Sequence, residues 1–119
     1  MDYKTKFSRE KAEDLYLKAK DELCKPEEDV VPYSVCRNAY YSITNYLGSY
    51  LSMNGVKLSE SDSVEDLLNK CRTVDKRFND LHLSPLYNPT ETEDVWMNLD
   101  TANDYIKMAE STRQIFSRD

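Results

Sequence analysis

A chain of 119 residues, 39% hydrophobic and 32% charged, can bury one core and is too apolar to stay disordered, so one domain over residues 1–119 is expected. Two glycines and four prolines are too few for a sheet-rich fold. A net charge of −6 repels phosphate polymers unless basic groups are gathered locally, and no apolar run is long enough to span a bilayer.

The first helix is predicted to start at Ser8, a good N-cap, and to stop at Lys25-Pro26, with Ala12, Leu15, Tyr16, Ala19 and Leu23 on one face. Ahead of it, MDYKTKFSREK lacks the apolar stretch of a signal peptide, so none is expected. The link KPEEDVVPY carries two prolines and reads as extended.

The second helix is predicted over Tyr33 to Asn54, ended by Gly55. Cys36, Ala39, Tyr40, Ile43, Leu47, Tyr50 and Leu51 form an inward stripe. Arg37, Tyr41, Thr44 and Gly48 form a second stripe about 100° away, which implies a second contact. Glycine within a helix costs about 1 kcal/mol relative to alanine, so Gly48 suggests the close approach of another helix.

Ser63 and Asp66 are spaced as a capping box for a third helix carrying Val64, Leu67, Leu68, Cys71 and Phe78, which ends either near Thr73-Val74 or at Leu81. HLSPLYNPTET is an irregular connection. Thr90 and Glu93 are a second candidate capping box, opening a last helix to Phe116 with Trp96, Leu99, Ala102, Ile106, Ala109 and Phe116 inward. The architecture expected is all-α: an up-down antiparallel four-helix bundle, with room for a short fifth helix before the proline loop. Cys24, Cys36 and Cys71 are odd in number and form no C-x-x-C pair, so they read as small core residues of a reducing, cytoplasmic compartment.

The second helix, CRNAYYSITNYLGSYLSMNGVK, resembles the arginine and tyrosine-pair helix of the HEPN superfamily (higher eukaryote and prokaryote nucleotide-binding). SVEDLLNKC is similar to that family's leucine-rich third helix, NDLHLSPLYNP to its irregular connection, and DTANDYIKMAESTRQIF to its closing helix. The resemblance spans about residues 8 to 116. It implies a helical bundle that is frequently a homodimer. It also implies one of three roles: a metal-independent ribonuclease of toxin–antitoxin or defence systems, a partner of a separately encoded nucleotidyltransferase, or a nucleotide-binding module.

Ribonucleases of this family carry an R-x4-6-H motif, and Arg77-Phe78-Asn79-Asp80-Leu81-His82 fits it with the one histidine in the chain. As a catalytic pair, His82 would take the proton of a ribose 2′-hydroxyl and Arg77 would hold the phosphate. No metal or other cofactor is required, and a homodimer would join two motifs in one cleft. The family's active motifs usually place a polar residue after the arginine, where Phe78 stands here. On an unbroken helix Arg77 and His82 would point about 140° apart. The alternative makes His82 a helix C-terminal residue beside Phe78 and Arg77 an ion-pair partner of Asp80. Lys70, Arg72, Lys76 and Arg77 make one local basic cluster. Arg37 and Tyr41, four residues apart, are candidates to grip a nucleotide phosphate or stack on a base, or to pack across an interface. Glu91, Glu93 and Asp94 read as charge complementing a helix dipole, not as a metal site.

Overall fold

In the computed structural model, which describes residues 7–59, 61–86 and 98–117, the described residues are all-helical and form a four-helix bundle. The helices are α1 (Arg9–Leu23), α2 (Pro32–Met53), α3 (Val64–Val74) and α4 (Leu99–Ser117). Single 3-10 turns lie at Glu27–Asp29, Lys76–Asp80 and Ser84–Leu86.

Local chemistry sets most of these ends. Ser8 accepts a hydrogen bond from the Lys11 amide at 2.9 Å and starts α1. Pro32 occupies the first turn of α2, where a missing N–H costs nothing. Asn54 and Gly55 end α2, the glycine at φ +74°, a left-handed conformation that lacks steric penalty only without a Cβ. Ser63 and Asp66 form the reciprocal capping box of α3. Asn98 Oδ1 accepts the amides of Asp100 and Thr101 and caps α4 at Leu99. Thr90, Glu91, Glu93, Asp94 and Trp96 lie outside the described residues.

Two expectations are corrected, and one left open is decided. KPEEDVVPY is not wholly extended, because Glu27–Asp29 forms a 3-10 turn after Pro26. Of the two ends offered for α3 the structure takes the first, Val74, and Phe78 reaches the core from the separate 3-10 turn Lys76–Asp80. Cys36 and Cys71 are buried, and loss of hydration pushes both thiols up to about 12, whereas Cys24 is exposed at the end of α1.

Helix α2 is the axis of the bundle and packs against the other three. It runs antiparallel to α1: Ser42 Oγ donates to the Ala12 carbonyl at 2.7 Å, and the Val31 amide donates to Glu22 Oε2 at 2.9 Å. Helix α4 is also antiparallel to α1, pairing Tyr16 with Glu110 and Arg9 with the Phe116 carbonyl. Consequently α2 and α4 share a direction, as alternate helices of an up-down bundle do. From Ser42 to Ser49 every residue of α2 is buried, so its polar side chains need internal partners. Asn45 illustrates how this is met, donating to the Tyr41 carbonyl at 2.7 Å and accepting the Ser8 amide at 3.1 Å.

The two stripes of α2 have different fates. Cys36, Ala39, Ile43, Leu47 and Leu51 are fully buried, while Tyr40 and Tyr50 are half-buried at the edge of the core. In the second stripe Arg37 and Tyr41 are exposed and Thr44 and Gly48 are buried. The neighbour that requires Gly48 is not a helix but the ring of Phe7, into which a Cβ at residue 48 would project. Alanine at 48 gains up to about 1 kcal/mol in helix propensity but displaces that ring. Gly48→Ala is therefore expected to destabilise the wild type in urea unfolding and to stabilise a Phe7→Ala background; equal effects in both would contradict this packing.

Candidate functional site

Arg77 lies in the 3-10 turn Lys76–Asp80, whose N-cap is Asp75. Asp75 Oδ1 accepts the Arg77 backbone amide at 2.9 Å, and Oδ2 accepts Arg77 Nε at 3.0 Å and Nη2 at 2.7 Å. Tyr50 Oη donates to the same Oδ2 at 3.0 Å. The other guanidinium edge donates through Nη1 to the Ile115 carbonyl at 3.0 Å, in the last turn of α4. Arg77 is thereby a strut between the α3–α4 connection, α2 and the end of α4. Its ion pair is with Asp75 and not with Asp80, because a carboxylate at an N-cap already points back along the turn.

The Arg77 side chain, its amide and the Tyr50 hydroxyl all stabilise the charged form of Asp75 and hold its carboxyl down to about 2. The cleft in front of Arg77 is about 190 Å³, lined also by Asp80, Leu81, Ser111, Gln114 and Ile115. That is below the roughly 300–1,000 Å³ of ligand pockets. With Asp75 and Asp80 beside Arg77, the lining and its immediate support carry more negative than positive charge.

His82 follows in an extended stretch. Leu81 and Leu83 are buried and His82 is exposed between them, so alternation turns the imidazole outward. It does not line the cleft at Arg77. The 3-10 turn ends between Arg77 and His82, so the two are not on one unbroken helix. The role of capping the carbonyls beside Phe78 falls to Arg72, whose Nε donates to the Phe78 carbonyl at 3.2 Å and Nη2 to that of Leu81 at 2.7 Å. The basic cluster is thus largely engaged within the chain: Lys70 pairs with Asp62 at 2.7 Å, Arg72 with carbonyls and Arg77 with Asp75, while Lys76 is exposed.

Arg37 and Tyr41 lie elsewhere, on the outer face of α2. The guanidinium sits 5.3 Å from the Tyr41 ring centroid, a cation–π contact.

Glu13 and Arg113 form a second charged centre that the residue spacing did not single out. Glu13 accepts Arg113 Nη2 at 2.7 Å and Nε at 2.9 Å, together with the Tyr46 hydroxyl. Arg113 and then Tyr46 hold the Glu13 carboxyl down to about 2, and burial with the carboxylate beside it raises Tyr46. A groove of about 690 Å³ opens over this network, lined also by Arg9, Glu10, Asp14 and Leu17. No local signal announces this pairing of residues a hundred positions apart. For Asp75 a signal existed: an aspartate two residues ahead of Arg77 at a helix break is a typical side-chain-to-backbone cap.

Both carboxylates are acidified by folding, so each stabilises the native state above its unfolded pKa and loses that contribution as pH falls towards about 2. Acid unfolding monitored by circular dichroism is expected to set in below about pH 5 and to be shallower in Asp75→Asn and Glu13→Gln, each less stable at neutral pH; unchanged acid profiles would remove these groups as the cause. Compared with family models, with curated proteins and with solved structures, the chain matches none, and its function is read from its own geometry.

Proposed function

We propose that this bundle is a HEPN-type domain of cytoplasmic RNA or nucleotide biology that works as a homodimeric, non-catalytic module, a catalytically degenerate relative of the family's ribonucleases. Its partner in this reading is a separately encoded nucleotidyltransferase or a similar enzyme. The family assignment rests on the order of the resembling segments along the chain, and the helical bundle is compatible with it.

The observation that carries the non-catalytic reading is the engagement of Arg77. A guanidinium that is to stabilise charge on a reacting phosphate has to present free donors to it. Arg77 instead directs Nε and Nη2 to Asp75 and Nη1 to the Ile115 carbonyl. Binding a phosphate there would require replacing those partners and would bring the anion close to Asp75 and Asp80. Lys70 and Arg72, which would otherwise attract RNA to this region, are held by Asp62 and by backbone carbonyls.

The ribonuclease reading keeps one supporting observation, an exposed His82 separated from Arg77 by the end of the turn. The two readings part in a metal-free RNA cleavage assay on single-stranded and hairpin substrates. The expected outcome is no turnover above that of His82→Ala and Arg77→Ala. Cleavage that falls at least about a hundredfold in either variant, the usual scale for loss of general acid–base catalysis, would overturn the non-catalytic reading.

A further inference from the structure

We propose that two copies of this chain meet through the N-terminal half of α2, about a two-fold axis near Tyr33, with Arg37 of each copy facing the acidic turn Glu27–Asp29 of the other. The proposal rests on the homodimer expected above for the presence of a second copy and adds the surface that it uses.

Among the described residues, large exposed hydrophobic side chains concentrate here. Val31 is 46% exposed, Tyr33 39% and Tyr41 44%, all within eleven positions. Tyr33, Arg37 and Tyr41 stand four residues apart, so they form one strip along the helix. Further along the same face Thr44 and Gly48 are buried, Gly48 against the Phe7 ring, so among the described residues its exposed part is the first half of α2. Tyrosine and arginine together are the composition of protein interfaces, where each supplies broad contact area with a polar tip.

The charges select the occupant. Glu27, Glu28 and Asp29 are exposed in the turn before α2, and Arg37 is exposed just over a turn into it. Among the described residues none of these four is in an ion pair within the chain. The acidic turn comes first, Val31 and Tyr33 follow, then Arg37, with Tyr41 beyond it. A two-fold axis near Tyr33 inverts this order on the second copy and sets each Arg37 against the other copy's acidic turn, which is the condition for an isologous interface. An RNA would find one cation here beside three carboxylates, a net repulsion.

Sedimentation equilibrium tests this with the intact chain, with circular dichroism verifying that each variant is folded. The wild type is expected to be a dimer. Arg37→Glu, and separately the triple variant Glu27→Lys/Glu28→Lys/Asp29→Lys, should each weaken self-association at least about tenfold by placing like charges together. Mixing the two variants should restore a dimer of one copy of each, because both contacts are then attractive. A monomeric wild type overturns the dimer and the surface alike. A dimer that ignores both charge reversals, or a loss that mixing does not restore, overturns this surface and leaves the dimer standing.

Discussion

The ring of Phe116 is the point on which the bundle closes. It stacks on Tyr46 at 5.1 Å between centroids and meets Tyr50 and Phe78 edge-on at 5.5 and 5.9 Å. Those partners come from α2 and from the turn after α3, so one side chain near the end of α4 joins three parts of the fold. Burying such a ring contributes about 1.5–3 kcal/mol, and each well-placed aromatic pair about 0.5–1.5 kcal/mol more. The backbone there is held as well. Arg9 donates to the Phe116 carbonyl at 2.9 Å, and Arg77 to that of Ile115 at 3.0 Å. Two cations far apart in the sequence thus satisfy the carbonyls that a helix C-terminus leaves open and oppose its negative dipole end.

That closure accounts for how the arginines are used. Arg9, Arg77 and Arg113 reach across helix boundaries to α4 or from it, each ending on a carbonyl or a carboxylate. Arg72 does the same within the α3–α4 connection. Such contacts are geometrically demanding, and guanidinium meets them because its planar fork offers several donors at once. A residue pattern that suggests a phosphate grip therefore describes a set of struts equally well. Which it is depends on whether acceptors inside the chain already occupy the donors. Here they do for Arg77, whereas Arg37 is exposed with its guanidinium 5.3 Å from the Tyr41 ring centroid.

The residue spacing carried the local part of the fold. Ser8, the Ser63–Asp66 box and Gly55 mark helix ends through interactions within a few residues, and the apolar stripes of α1 and α2 follow from a 3.6-residue period. Where spacing pointed the wrong way, a competing local signal was present. Asp75 opens the 3-10 turn that carries Phe78 apart from α3. Cys24, expected in the core, is exposed because it is the C-cap of α1, one residue past the helix end at Leu23.

By itself the sequence determined an all-helical chain, its main helix ends and most of its inward faces, because these depend on propensity, capping and period over short stretches. Only the tertiary structure decided what Gly48 and the charged residues do. The ring over Gly48 comes from Phe7, the carbonyl that receives Arg77 belongs to Ile115, and the base of the Glu13 network is Arg113. Each of those partners is dozens of positions away, and no spacing rule relates residues whose proximity is created by the packing of one helix on another.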